Sequence, residues 1–145
     1  MKKIIFIAIA SIIVISSVTS CVTKEDVSIN SKNLIGTWEQ ISRSSPLTGV
    51  EEPEGELYYW QFQKDGTFII VGIEENDVDI TRGKWSLSGN TLSLSDALVS
   101  AGGETYLVTY TVSNLTKNSL TLGWAGGIIT GNFKRVSDST IEKYL

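Results

Sequence analysis

The chain of 145 residues contains no histidine, one cysteine and two prolines. Without histidine, the Ser-His and Cys-His arrangements of nucleophilic enzymes and the usual zinc sites are excluded. With Cys21 as the single cysteine, the chain forms no internal disulfide, so a folded domain depends on its core for stability. Pro46 and Pro53 fall in one segment, which leaves the rest of the sequence free to form strands.

Other features of catalytic sites are also missing. A glycosidase needs two carboxylates in one cleft, but the predicted inward faces of the strands carry none. Glu39 is the one acid well inside a predicted strand, and alternation places it opposite Trp38, facing outward. The Ala-Gly-Gly run at 101–103 precedes a strand rather than a helix, so it is no phosphate loop. We therefore expect no catalytic residue, no metal site, no cofactor and no enzymatic activity.

One apolar run of some length is present, at the N-terminus. Two lysines precede residues 4–18, and two small residues lead from them to Cys21. The run is too short to span a bilayer as a helix and has the layout of a signal peptide. It resembles a bacterial lipoprotein signal, which is cut before the cysteine so that the thiol can carry a diacylglyceryl group. The alternative is an ordinary secretory signal with an incidental cysteine.

Processing at this point divides the chain into residues 1–20, a signal peptide, and residues 21–33, a lipidated N-terminus and flexible tether. Loss of Lys2 and Lys3 makes an already acidic chain more negative by two charges. That balance argues against nucleic-acid binding, so membrane attachment is expected through acyl chains on Cys21. Residues 24–26, Lys-Glu-Asp, resemble the signal that sends lipoproteins of the Bacteroidetes to the cell surface. We expect an outer-membrane lipid anchor, with the periplasmic and surface-facing alternatives both open.

From residue 34 onward, short alternating segments are separated by turns, and no helical pattern of ten residues occurs. We predict eight strands, near residues 35–42, 57–63, 67–74, 80–88, 91–95, 104–113, 119–124 and 128–136. Every connection is too short for a crossover helix, which predicts antiparallel pairing. The fold class is therefore all-β, an eight-stranded antiparallel up-and-down barrel over residues 34–136 with a C-terminal tail at 137–145. A β-sandwich is the alternative.

Four short motifs follow one another in this region. They are Gly36-Thr37-Trp38, the segment from Phe62 to Phe68, Gly83-Lys84-Trp85, and Leu115 to Leu122. Together they resemble the bacterial lipocalin-like domains, which implies a barrel closed at one end. In lipocalins the first tryptophan plugs that end and a basic residue near the end of the last strand packs over it. The resemblance assigns barrel closure to Gly36, Trp38 and Arg135.

Alternation gives the barrel a large, aromatic inward face. Six inward-facing residues are the candidates for ligand contact: Tyr58, Trp60, Ile70, Trp85, Tyr106 and Trp124. They form either a cup for one small ligand or a core that fills the barrel, because eight strands enclose little more than their own side chains.

Acidic residues concentrate at the predicted open end. Ten of the sixteen acids lie there, with Arg43 as the one firmly placed base. They are Glu51, Glu52, Glu54, Glu56, Glu74, Glu75, Asp77, Asp79, Asp96 and Glu104. Such a mouth disfavours anions and admits neutral or cationic molecules, while ordinary solvated loops are the alternative.

We therefore expect a membrane-anchored lipoprotein that binds a small, mostly apolar, neutral or cationic ligand without catalysis. A filled barrel whose acidic loops serve a protein partner or an envelope assembly is the main alternative. A lipocalin-type enzyme inhibitor acting through residues 43–56 is the third.

Overall fold

The computed structural model describes residues 29–47, 49–51, 55–95, 107–124 and 126–145. The predicted signal peptide and Cys21 therefore lie outside the described residues. A short helix, α1, spans Ser31–Leu34 and is followed by nine strands and two 3-10 helices. The strands are β1 Gly36–Ser45, β2 Gly49–Glu51, β3 Glu56–Phe62, β4 Thr67–Glu74, β5 Asp77–Ser88, β6 Thr91–Ser95, β7 Val108–Leu115, β8 Ser119–Trp124 and β9 Ile129–Val136. The 3-10 helices are Asp138–Thr140 and Glu142–Tyr144.

The strands form a closed antiparallel barrel. From β3 to β9 each strand pairs with the next, and β1 pairs with both β3 and β9. This closure confirms the predicted eight-stranded barrel and excludes the sandwich. The additional strand, β2, was not predicted. It pairs with β1, opposite Arg43, Ser44 and Ser45.

Apolar side chains fill the closed half of the barrel. Its buried core residues come from α1 and most of the strands, and all are apolar. They are Leu34, Trp38, Phe62, Phe68, Leu92, Leu94, Val112, Leu120, Leu122 and Phe133. Gly83 faces this core because a β-carbon there would meet the ring of Phe68 and the backbone oxygen of Ser95.

A cation and a helix seal the closed end. Arg135 lies over the ring of Trp38, 4.2 Å from its centroid, an arrangement that contributes about 0.5–2 kcal/mol. The Arg135 guanidinium also donates to the carbonyls of Asn33, Ile35 (2.8 Å) and Lys117 (2.6 Å). The indole N–H of Trp38 donates to the carbonyl of Leu34 at 2.8 Å. Three of these four bonds use carbonyls at the end of α1 and tie that helix to β1 and β9.

The sequence predicts a tether over residues 21–33, but residues 31–33 lie in α1. Asn30 caps this helix, since its side chain accepts a hydrogen bond from the backbone N–H of Lys32 at 3.0 Å. Ile29 packs against the barrel core and Leu34 is buried in it. The described chain thus enters the barrel at its closed end.

Residues 137–145, predicted as a tail, pack on the outside of the barrel. Ile141 is fully buried in a second cluster with Tyr59 and Val71, which face outward from β3 and β4. Tyr144 stacks on Tyr59 with ring centroids 6.5 Å apart. The two 3-10 helices therefore cover part of the apolar outer wall.

Candidate functional site

A cavity of about 500 Å³ occupies the open half of the barrel. This volume lies within the range of small-molecule sites, roughly 300–1,000 Å³. Its lining combines aromatic side chains with a few polar and charged ones. The lining residues are Gln40, Arg43, Glu51, Glu56, Tyr58, Trp60, Ile70, Tyr110, Trp124 and Phe133.

Four aromatic rings form one connected group in the cavity wall. Trp60 meets Tyr110 and Phe133 edge to face, each with centroids 5.4 Å apart. Tyr110 in turn meets Trp124 at 6.1 Å with an interplanar angle of 75°. Edge-to-face packing is a favourable arrangement of aromatic quadrupoles. The rings therefore hold one another in place before a ligand arrives.

The polar atoms of these rings are available for a ligand. Within the described residues, no group makes a hydrogen bond with the Tyr110 hydroxyl or with the indole N–H of Trp60 or Trp124. In the closed half, by contrast, the indoles of Trp38 and Trp85 both donate to backbone carbonyls. Burial raises the pKa of Tyr110, so its hydroxyl stays protonated and able to donate at neutral pH.

Charged groups of both signs stand at the cavity. The Arg43 guanidinium lies 5.3 Å from the ring centroid of Trp124, and Glu51 is its direct cross-strand partner. Tyr58 donates its hydroxyl to Glu56 Oε2 at 3.2 Å. The pKa of Tyr58 is raised above its ordinary value, mainly by burial and to a lesser extent by this hydrogen bond. The mouth is therefore more mixed in charge than a purely acidic rim.

The cavity extends to a place where β1 and β3 stop pairing. Their pairing runs from Gly36 opposite Phe62 to Glu39 opposite Tyr59. Beyond Glu39 and Tyr59, residues 40–42 of β1 do not pair with residues 56–58 of β3. Lining residues come from both stretches, so the cavity borders the part of the barrel wall where these two strands are not paired.

The structure brings together four of the six predicted ligand-contact residues. Tyr58, Trp60, Ile70 and Trp124 line the cavity, and ligand contact by them stays a prediction. Trp85 does not line it, because its N–H donates to the carbonyl of Gln63 at 3.0 Å and its ring packs against Phe62 in the closed half. Tyr106 lies outside the described residues.

Six lining residues were not among the ligand-contact candidates: Gln40, Arg43, Glu51, Glu56, Tyr110 and Phe133. Alternation already gives Tyr110 and Phe133 inward positions, and it gives Gln40 the same face as Trp38. Arg43 is different, because strict alternation from Trp38 turns it outward. A bulge between Gln40 and Ser42 shifts the register against β9 and brings Arg43 to the inward face.

Two of the acids expected at the mouth, Glu51 and Glu56, line the cavity. Both lie outside the predicted strands, Glu51 in β2 and Glu56 at the first residue of β3. Of the other acids expected at the mouth, Glu74 ends β4, Glu75 lies in the β4–β5 turn, and Asp77 and Asp79 lie in β5. The rest fall outside the described residues: Glu52, Glu54, Asp96 and Glu104.

Two features of other functional classes are absent from the described residues. No group of three or more histidine, cysteine, aspartate or glutamate residues there has a metal-holding arrangement. None of the helices in that part of the chain combines the length and apolar character needed to cross a membrane.

A closed antiparallel barrel, filled at one end and hollow at the other, defines the lipocalin class of small-molecule carriers. Residues 34–122 match the family model of the lipocalin-like domain, and the chain belongs to this family. No curated protein matches it.

Solved structures support the same fold. A lipocalin-like protein from Bacteroides uniformis aligns with a TM-score of 0.59 at 20% identity, over 72% of this chain and 99% of its own. An uncharacterized protein from Bacteroides eggerthii gives 0.56 at 19%, over 70% and 98%. Insecticyanin from the tobacco hornworm Manduca sexta gives 0.53 at 8%, over 77% and 65%. At these identities the likeness concerns the fold alone.

Proposed function

We propose that the protein binds one small, mostly apolar molecule in the open half of its barrel, without covalent chemistry. The observation that carries this proposal is the cavity of about 500 Å³ with its connected aromatic wall. Aromatic rings supply large apolar contact area. The polar tips of Tyr110, Trp60 and Trp124, which have no hydrogen-bond partner among the described residues, offer a few oriented donors. If the protein were a filled barrel that acted only through its loops, this cavity would have no function.

Binding can be followed with the neutral apolar probe N-phenyl-1-naphthylamine, whose fluorescence rises in an apolar site. We expect saturable binding to the wild-type protein and about tenfold weaker binding after Trp60→Ala or Trp124→Ala, since each removes a ring from the wall. Trp85→Phe is the matched control, because Trp85 lies in the closed half. Circular dichroism establishes that each variant is folded. Unchanged probe affinity in both folded cavity variants would refute this site.

We further propose that the barrel is a lipoprotein held at the outer membrane by acyl chains on Cys21, with residues 1–20 removed. The support is the apolar run that ends in the lone cysteine, together with Lys-Glu-Asp at residues 24–26 as a surface-display signal. Two or more acyl chains provide stable anchoring without a membrane-spanning helix. Entry of the chain at the closed end agrees with this arrangement, because it leaves the cavity at the opposite end.

A further inference from the structure

We propose that the cavity selects zwitterionic amphiphiles, molecules with a carboxylate and an ammonium group at one end of an apolar body. This inference rests on the proposed ligand-binding function and adds the class of headgroup. It departs from the expectation that an acidic mouth admits neutral or cationic molecules. The reason is the position of Arg43 in the cavity wall.

Arg43 provides the carboxylate-binding half of the headgroup site. Its guanidinium lies over the ring of Trp124, which places it beside the cavity although the side chain is exposed to solvent. Within the described residues it makes no ion pair and no hydrogen bond, which leaves its donors available. A guanidinium matches a carboxylate with two parallel hydrogen bonds, an arrangement stronger and more directional than a neutral hydrogen bond.

Glu51 and Glu56 provide the ammonium-binding half. Glu51 lies directly across from Arg43 in the β1–β2 register, and both glutamates line the same cavity. No partner of the Glu51 carboxylate is found among the described residues. One oxygen of Glu56 accepts the Tyr58 hydroxyl, which fixes that carboxylate at the wall. Two acceptor groups therefore face the cavity beside one cation.

This combination discriminates by charge pattern. A simple carboxylic acid that reaches Arg43 brings its negative charge close to Glu51 and Glu56, while a simple amine faces the Arg43 guanidinium. Like-charge contacts of this kind are the usual means of rejecting wrong partners. A zwitterion presents an opposite charge to each group and carries no net charge into the acidic mouth. Its apolar body then lies on the rings of Trp60, Tyr110 and Trp124.

A matched ligand series tests the headgroup on a constant ten-carbon body. The four compounds are 2-aminodecanoate, decanoate, decylamine and decanol, which displace N-phenyl-1-naphthylamine from the full-length protein at neutral pH. We expect 2-aminodecanoate to bind about tenfold more tightly than either singly charged compound, as expected for one unmatched charge pair.

Variants of the charged residues then change the order of preference. Arg43→Gln is expected to remove the preference for 2-aminodecanoate over decylamine, because the carboxylate loses its partner. Glu51→Gln together with Glu56→Gln is expected to raise the affinity for decanoate to at least that of 2-aminodecanoate. Arg82→Gln is the control, since Arg82 is exposed on β5 and does not line the cavity.

The outcomes separate the two proposals. Equal binding of all four compounds to the wild-type protein, or an unchanged order in Arg43→Gln, overturns the headgroup assignment but leaves the apolar site intact. Tightest binding of decylamine or of decanoate to the wild type also overturns it. Failure of every compound, decanol included, to displace the probe overturns the ligand-binding function together with the inference.

Discussion

Gly36 and Arg135 are in contact at the closed end of the barrel. Their contact explains why position 36, two residues before Trp38, is a glycine. A β-carbon on Gly36 would occupy the position of the Arg135 guanidinium nitrogen Nη1. Gly36 also has a φ of 129°, a conformation that only glycine adopts readily. The absence of a side chain therefore lets the guanidinium reach both the Trp38 ring and the carbonyl of Ile35.

We predict that Gly36→Ala lowers the free energy of unfolding by about 3 kcal/mol, through backbone strain plus displacement of Arg135. Gly49→Ala is the matched control. It shares a positive φ of 79° but has no atom within 4 Å of the added carbon, so it reports strain alone, about 1 kcal/mol. Urea unfolding of the two variants measures the difference. Equal losses would show that the contact with Arg135 is unimportant.

At the scale of elements, the C-terminal segment is the part whose structure the sequence least predicts. Residues 137–145 are short, mixed in polarity and without an alternating pattern, so a tail is the natural expectation. Their structure comes from a tertiary contact instead. Tyr59 and Val71 face outward from the barrel and are covered by Ile141, forming a second small core. Outward-facing apolar residues on neighbouring strands were the available sign that a further segment covers them.

We predict that Ile141→Ala lowers the free energy of unfolding by about 3 kcal/mol, the usual cost of deleting a fully buried isoleucine side chain. Leu145→Ala serves as the control, since Leu145 is 53% exposed whereas Ile141 is 0% exposed, and we expect a change within about 0.5 kcal/mol. Probe binding should be the same in both variants, because the second core lies outside the cavity. An Ile141→Ala variant as stable as Leu145→Ala would contradict the packing of this segment.

Short connections predicted the antiparallel barrel. Strand alternation predicted the inward direction of Tyr58, Trp60 and Trp124, because the face of each side chain depends on a regular period of two. It failed where that period breaks. The bulge in β1 reverses the direction of Arg43, and a bulge leaves no dependable mark in a single sequence. The position of Trp85 along the barrel axis was also not predicted. Alternation indicates which face of the sheet a side chain lies on, but not how far along the barrel axis it lies.

At the scale of the whole molecule, the barrel is divided into two functional halves. The closed half contains the packed core, the α1 plug and the point where the chain enters beside Ile29. The open half contains the cavity and its charged residues. Fully extended, the seven residues from 22 to 28 reach at most about 25 Å, so the proposed anchor on Cys21 would keep the closed end near the membrane. With that anchor, the cavity would open away from the bilayer.

The anchor itself is tested in cells that make the full chain in the presence of labelled palmitate. We predict that the wild-type protein incorporates label and sediments with membranes, whereas Cys21→Ser does neither, because no other thiol is present to accept the diacylglyceryl group. Affinity for N-phenyl-1-naphthylamine should be equal in the two proteins, since position 21 precedes the barrel and the cavity lies at its far end. Equal labelling of both proteins would overturn the lipoprotein assignment. The proposed ligand binding would be unaffected by that result, because the described residues that line the cavity lie in strands β1–β4 and β7–β9.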